Sequence, residues 1–247
     1  IKEYALANNL NLLQPTNLKD EAFLSELKAL NANLQVVVAF RMLPKLVWEM
    51  PKFGTINLHA SLLPNYRGAA PINWAIINGE TKTGVTTFFI DDKIDTGAMI
   101  LSSEIEITEN ENAGKLHDRL KDLGCITVVD TLKLIESGTV STIVQQENTD
   151  INTAYKLDKD NCKIDWTKSG IEIHNLIRGL SPYPASWCYF HEKDQEWNVK
   201  IYEAHYIEEE HSVDVGNIIT TKKELKVAVK DGFVQIKSLQ MPGKKKM

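Results

Sequence analysis

The run LQVVVAF, residues 34–40, is the sequence feature that most constrains the fold. Its β-branched and apolar residues follow one another without polar alternation, a pattern typical of a parallel strand that is buried on both faces. The spacing of apolar residues predicts an amphipathic helix before it, over residues 20–30, and a short helix after it, over residues 44–50. Strands that alternate with helices favour an α/β fold with a mainly parallel sheet.

The same alternation continues up to residue 138. Further strands are predicted over residues 56–59, 85–90 and 99–107, and a helix over residues 71–78. A long helix is predicted over residues 112–136, opened by a capping box from Thr108 to Glu111 and ended by Gly138. A Rossmann-like first domain, residues 1–139, follows from this pattern. The motif GxGxxG does not occur after a strand, which argues against a dinucleotide site.

The character of the sequence changes after residue 139. Residues 140–158 have no convincing period and are interpreted as a linker. A short helix follows, and then short strand patterns separated by turn residues, over residues 185–191, 197–204, 216–220, 225–229 and 233–238. Such spacing is typical of a small antiparallel barrel. Residues 159–247 are therefore predicted to form an OB-like β-barrel domain.

Composition excludes several classes of protein. The chain is 43% hydrophobic and 25% charged, as in a soluble globular protein, and it lacks an apolar run of about 18 residues that would cross a membrane. Its first residues do not have the pattern of a secretory signal. The cysteines Cys125, Cys162 and Cys188 are widely spaced, which favours reduced thiols in a cytoplasmic protein over disulfides or a zinc site.

The strand at residues 56–59, INLH, carries the candidate catalytic residues. Alternation places Asn57 and His59 on one face, while Ile56 and Leu58 point into a core. An amide can donate to a developing oxyanion, an imidazole can exchange protons near neutral pH, and a carboxylate can orient it. Asp95, in the turn after a later strand, is the candidate carboxylate. From spacing alone, a turn amide, a core histidine and a turn carboxylate fit equally well.

A longer stretch around these residues resembles a known family. Residues 56–100, INLHASLLPNYRGAAPINWAIINGETKTGVTTFFIDDKIDTGAMI, are similar to the active-site segment of the folate-dependent formyltransferases. The shared pattern is an Asn-x-His pair, then Ser-Leu-Leu-Pro, a glycine (here Gly68) and an aspartate 38 residues after the asparagine. The resemblance implies that Asn57 and His59 contact the formyl group and its oxyanion, and that Asp95 supports His59 and proton transfer.

The resemblance also implies a donor and its pocket. The donor would be 10-formyltetrahydrofolate, bound as a co-substrate, and the chemistry needs neither a metal nor a covalent nucleophile. The residues implied in binding it come from three segments: Arg41, Met42 and Leu43; Ser61, Leu62, Leu63 and Pro64; and Asp91 and Asp92.

Three amine acceptors occur in this family: methionyl-tRNA, a phosphoribosyl amine and a sugar-nucleotide amine. The second domain argues against the phosphoribosyl amine. Segments 163–166 and 177–184 resemble the C-terminal domain shared by the other two classes, and the final segment 239–247 resembles the members that formylate methionyl-tRNA. We therefore expect initiator methionyl-tRNA as acceptor, for translation initiation, with phosphate contacts from lysines of the OB-like domain.

Two other functions remain open from the sequence. One is a sugar-nucleotide 4-amine formyltransferase, and the other is a non-catalytic tRNA- or folate-binding module. We expect a monomer without membrane contact. The family's first β-α-β segment has no counterpart before Ile1, and its last few residues have none after Met247, so we expect both ends to be truncated.

Overall fold

The computed structural model describes residues 1–39, 42–146 and 150–247. The N-terminal part is built from five helices and six strands among these residues. In chain order they are α1 (Lys2–Ala7), α2 (Glu21–Ala29), β1 (Gln35–Val38), α3 (Lys45–Trp48), β2 (Thr55–His59), β3 (Arg67–Gly68), α4 (Pro71–Ile77), β4 (Lys82–Phe89), β5 (Met99–Glu106), α5 (Ala113–Glu136) and β6 (Thr153–Ala154). The predicted α/β class is confirmed.

The main sheet has the order β1-β2-β4-β5 and is mixed. Strands β1 and β2 are parallel, whereas β2/β4 and β4/β5 are antiparallel. Within this sheet, the expectation of a mainly parallel arrangement therefore applies to the β1/β2 pair alone. For β4 and β5 the reason is their short connection, residues 90–98, because a parallel crossover needs about a dozen residues or more.

Strand β1 is less buried than its apolar run predicts. It forms the edge of the described sheet, and Val36 and Val38 are 41% and 56% exposed. One face of the strand is thus open, so burial on both faces is not what the structure shows. Val37, on the other face, is half-buried and pairs with Asn57 of β2.

Helix α5 packs across β4 and β5 and closes the core on that side. Its buried residues include Leu116 and Leu120, at 0% and 2% exposure. The cap is Asn112, whose Oδ1 accepts from the Lys115 N–H at 2.9 Å. The predicted capping box was wrong in its position: Glu111 accepts from the Thr108 N–H at 3.2 Å in a separate turn before the helix.

The C-terminal part consists of one helix and a five-stranded antiparallel sheet of order β7-β8-β11-β10-β9. The elements are α6 (Gly170–Gly179), β7 (Ser186–Glu192), β8 (Gln195–Glu208), β9 (Ile218–Thr220), β10 (Leu225–Val229) and β11 (Gly232–Gln240). Register shifts between Ile236 and Leu239 bend β11 against the long strand β8. The sheet curls around α6, and this agrees with the predicted OB-like β-domain.

Contacts between helices α4 and α6 join the two parts. Asn73 donates from Nδ2 to the Gly179 carbonyl at 2.7 Å, and Arg178 donates to the Glu111 carbonyl at 3.1 Å. In the described part of the chain, no helix is both long and apolar enough to cross a membrane.

Candidate active site

A cavity of about 1320 Å³ opens at the carboxyl ends of the parallel strands β1 and β2. Ligands of open α/β sheets bind at this edge, outside the ends of the strands. Asn57, His59 and Asp95 all line the cavity. The three residues proposed from the sequence therefore come together at one place, although Asp95 is contributed by the connection between β4 and β5.

Strand β2 aims Asn57 and His59 at the cavity. The register pairs Asn57 with Val37 on one side and with Phe88 on the other, so the strand is fixed from both edges. Ile56 points the opposite way and is fully buried. Leu58 packs against the core as predicted, but it also contributes to the lining of the cavity, so the predicted alternation holds fully only for Ile56.

The imidazole of His59 is 6% exposed and held by a backbone carbonyl. Its Nε2 lies 2.8 Å from the carbonyl oxygen of Tyr66. A carbonyl can only accept, so Nε2 carries a proton and Nδ1 is the nitrogen that exchanges one. Nδ1 lies 3.7 Å from Oδ2 of Asp95, beyond direct hydrogen-bond distance and within reach of an ion pair.

Asp95 occupies a left-handed backbone conformation, with φ of 54°. Aspartate tolerates this region better than most residues do. Its Oδ2 accepts from the Gly68 N–H at 2.9 Å, which aims the carboxylate at His59. Two residues further on, a Cβ at Gly97 would lie 1.6 Å from the Phe89 carbonyl oxygen, so only glycine lets this turn lie against the end of β4.

Gln145 supports the Asp95 turn, and the sequence interpretation did not find it. Its Nε2 donates to the carbonyl of Asp95 at 3.0 Å and to that of Gly97 at 2.8 Å. Its Oε1 accepts from Nε and Nη2 of Arg67, at 3.0 and 2.7 Å. Gln145 belongs to the segment interpreted as a linker, and a polar residue without a period or motif around it gives no sequence signal.

Tyr66, whose carbonyl holds His59, is itself anchored by its side chain. The residue is 5% exposed and has a φ of 60°. Its hydroxyl donates to Glu80 Oε1 at 2.5 Å and accepts from the Asn152 amide at 3.3 Å. Burial and the carboxylate of Glu80 raise the pKa of the phenol, so it stays neutral across the physiological range.

The residues implied in folate binding divide into two groups. Met42, Leu43, Asp91 and Asp92 line the cavity, together with Trp48 and Ile94. Lys45 Nζ lies 3.6 Å from Asp92 Oδ2 and joins α3 to the opposite wall. Arg41 lies outside the described residues.

A loop beside the cavity is formed by Ser61, Leu62, Leu63 and Pro64. The described residues that line the cavity do not include these four. Ser61 is fully buried and donates to the Asn65 carbonyl at 2.6 Å. Thr86 Oγ1 donates to the Ser61 carbonyl at 2.7 Å and accepts from the Leu63 N–H at 3.2 Å. These contacts hold the loop that leads from His59 to Tyr66, and folate contact by it stays a prediction.

Over residues 1–39, 42–146 and 150–247, no group of three or more His, Cys, Asp or Glu side chains is arranged to hold a metal ion. The arrangement offers instead an amide, a proton-exchanging imidazole and a carboxylate at one cavity. That set can stabilise a negative oxygen and move a proton.

Both parts of the chain match models of formyl transferase domains. Residues 2–132 match the formyl transferase family, and residues 156–247 match the formyl transferase C-terminal domain.

Two relatives have the name methionyl-tRNA formyltransferase. The protein of Flavobacterium johnsoniae is 74% identical over 247 residues, and that of Flavobacterium psychrophilum is 68% identical over 247 residues. Each alignment covers 100% of this chain and 78% of the relative.

A solved structure shares the fold at low sequence identity. It is WlaRD, a sugar 3N-formyl transferase crystallised with dTDP and 5-N-formyl-THF, with a TM-score of 0.69 and 24% identity. The match covers 99% of this chain and 82% of that chain. At this identity the likeness shows the fold alone.

Proposed function

The chain belongs to the methionyl-tRNA formyltransferase family, and from that premise we propose which residues carry formyl transfer. The family assignment confirms the resemblance read from residues 56–100. It also favours methionyl-tRNA over a sugar-nucleotide amine as acceptor, because relatives at 74% and 68% identity along the whole chain have that name. We propose a cytoplasmic location, because initiator tRNA is used there.

The proposed donor is 10-formyltetrahydrofolate, bound in the cavity. The walls are mainly apolar, with carboxylates at Asp91 and Asp92 that can accept from the polar edge of a pterin. Met42, Leu43 and Trp48 supply apolar surface on the other side. A relative of the same fold was crystallised with 5-N-formyl-THF, which supports a folate donor here.

The proposed reaction moves one formyl group and one proton. The amino nitrogen of methionyl-tRNA forms a bond to the formyl carbon, and the bond from that carbon to N10 of the donor breaks. The amine loses a proton and N10 gains one, so charge and atoms balance.

Each residue of the trio has one task in this proposal. Asn57 donates an amide N–H to the oxygen that becomes negative when the amine attacks, a contribution commonly worth about 10²–10³ in rate. His59 exchanges the proton through Nδ1, because Nε2 is committed to Tyr66. Asp95 stabilises the imidazolium that forms when His59 takes up a proton.

The observation that carries this proposal is the convergence of Asn57, His59 and Asp95 on one cavity, with 3.7 Å between His59 Nδ1 and Asp95 Oδ2. We further assign tRNA contact to residues 159–247, interpreted as the OB-like domain, with residues 140–158 as the connection. Support comes from the match of residues 156–247 to the family's C-terminal domain. Lysine contacts to phosphates would make tRNA affinity fall steeply with salt.

The test is steady-state formylation of charged initiator tRNA by the purified enzyme. Asn57→Ala and His59→Ala should each lower kcat by about 10²-fold or more. The matched control is Asn110→Ala, at an exposed position away from the cavity, which should stay within about twofold. Near-wild-type turnover of a folded Asn57→Ala or His59→Ala variant would contradict the proposed roles. Faster turnover with a 4-amino-sugar nucleotide than with tRNA would contradict the acceptor.

A further inference from the structure

Gln145 lies behind Asp95, with its side chain 7% exposed. We propose that Gln145 is a positioning residue for formyl transfer, which sets the place of the Asp95 carboxylate opposite His59. This inference rests on the proposed role of Asp95. It assigns a task to a residue between the two parts of the chain that match the family, residues 2–132 and 156–247.

The amide of Gln145 is saturated by four hydrogen bonds. Both N–H groups go to backbone carbonyls of the Asp95 turn, at 3.0 Å to Asp95 and 2.8 Å to Gly97. The oxygen accepts twice from the Arg67 guanidinium. An amide is the one side-chain group that both donates twice and accepts twice, so this position uses its full capacity.

These bonds hold a backbone that would not adopt its conformation freely. Asp95 has a positive φ, a conformation that non-glycine residues adopt only at a cost in free energy, although aspartate tolerates it better than most. The two hydrogen bonds that Gln145 donates hold the carbonyls of residues 95 and 97 close together, and they thereby stabilise the turn. Without them, the turn can relax toward ordinary backbone angles, and the carboxylate moves with it.

Gln145 also binds the residue that precedes Gly68, and Gly68 is the second group that holds the Asp95 carboxylate. Arg67, which it binds, precedes Gly68, whose N–H donates to Asp95 Oδ2 at 2.9 Å. The backbone of Arg67 and Gly68 is paired with Thr153 and Ala154 in the β3/β6 ladder. One side chain thus links the backbone of Asp95 to the strand that directs its carboxylate.

The expected consequence is a loss of rate without a loss of binding. Gln145 is not among the described residues that line the main cavity, although the smaller hollow that it lines with Arg67 and Thr96 adjoins that cavity at Asp91 and Asp92. We therefore expect it to act on the reaction through Asp95. A displacement of about 1 Å in a catalytic group can cost about 10²-fold in rate. We therefore expect kcat to fall and the KM values for both substrates to stay.

Two substitutions test this in the purified enzyme. Gln145→Met keeps the length of the side chain and removes all four hydrogen bonds. Gln145→Glu keeps acceptors for Arg67 but replaces the donating amide with a carboxylate oxygen that repels the carbonyls of Asp95 and Gly97. Both should lower kcat by about tenfold or more, with both KM values within about twofold. Gln146→Met, at the exposed neighbouring position, is the matched control and should keep full activity.

A double-mutant cycle separates positioning from general damage. In an Asp95→Asn background, Gln145→Met should lower kcat by less than about twofold further, because the group it positions is already lost. An undiminished loss in that background would overturn the inference. So would a kcat near wild type in folded Gln145→Glu, or failure of both Gln145 variants to fold by circular dichroism, which would show a purely structural role.

The Asp95→Asn variant alone distinguishes the proposed role of Asp95 from the inferred role of Gln145. Full activity of Asp95→Asn would overturn the proposed role of Asp95, and with it the inference about Gln145. A low kcat for Asp95→Asn together with full activity of both Gln145 variants would overturn the inference about Gln145 alone.

Discussion

His59 Nε2 donates to the carbonyl of Tyr66 at 2.8 Å, so a backbone group and not a carboxylate determines which imidazole nitrogen faces Asp95. The phenol of Tyr66 has a different task from its carbonyl. It anchors the loop by donating to Glu80 Oε1 at 2.5 Å. The two tasks can therefore be separated by removing only the hydroxyl.

Tyr66→Phe should destabilise the protein and leave catalysis nearly intact. Removing the hydroxyl deprives Glu80 and two amides of a partner, which costs about 1–2 kcal/mol since Glu80 is half-buried. The carbonyl that holds His59 remains, so kcat should stay within about threefold. Urea unfolding and steady-state kinetics measure the two effects. Tyr183→Phe, at a tyrosine that is 83% exposed, is the control and should change the free energy of unfolding by less than about 0.5 kcal/mol.

Gly68→Ala should damage stability and rate together. A Cβ at Gly68 would lie 2.4 Å from the Ala154 carbonyl oxygen, and the residue has a φ of 119°. The strand must shift, at a cost of about 2–4 kcal/mol, and its N–H moves away from Asp95. We expect kcat to fall about tenfold or more.

The matched control for Gly68→Ala is Gly138→Ala. Gly138 also has a positive φ, of 68°, and a Cβ there would meet nothing within 4 Å. This variant should lose about 1–2 kcal/mol from backbone strain and keep its kcat. An equal loss of kcat in both variants would refute the link from Gly68 to Asp95.

His174 should make the protein less stable in acid. Burial lowers the pKa of its imidazole in the folded protein, and the nearby Arg178 guanidinium lowers it further. Below the unfolded-state pKa of about 6.5, the unfolded chain therefore binds a proton more readily than the folded chain does. The contribution of His174 to stability is complete above about pH 6.5 and is lost as the pH falls toward the lower folded-state pKa.

Urea unfolding at about pH 8 and about pH 5.5 measures this effect. The wild type should lose more free energy of unfolding on acidification than His174→Gln. His191→Gln replaces an exposed histidine that is not among the groups acting on His174, and it should keep the wild-type pH dependence. If His174→Gln retains it as well, another group is responsible.

Periodicity predicted the elements that carry the site. The helix at Ala113–Glu136 and the strand at Thr55–His59 lie within a residue of where the pattern placed them, because each buries one regular face. Asp95 was a candidate from its place in the turn after a strand, and the resemblance supported it at a fixed distance from Asn57. The predicted folate contacts Met42 and Asp92 line the cavity, as the motif positions implied.

What the sequence did not predict depends on contacts between distant residues. Gln145 bonds to Asp95 across 50 residues and to Arg67 across 78, and neither contact leaves a local pattern. Strands β3 and β6 have two residues each, too few to show alternation. The direction of β4 and β5 was misjudged because the apolar pattern of a strand does not record the direction of its neighbours.

The ladder between Arg67–Gly68 and Thr153–Ala154 has a consequence for how the protein is made. The ribosome delivers His59 and Asp95 long before it delivers Gln145 and the strand that pairs with Gly68. The nascent chain can form most of the cavity early, but its catalytic edge stays unfinished until the segment through Ala154 has left the exit tunnel. We therefore expect formyl-transfer competence only once the chain has passed from the first part of the enzyme into the second.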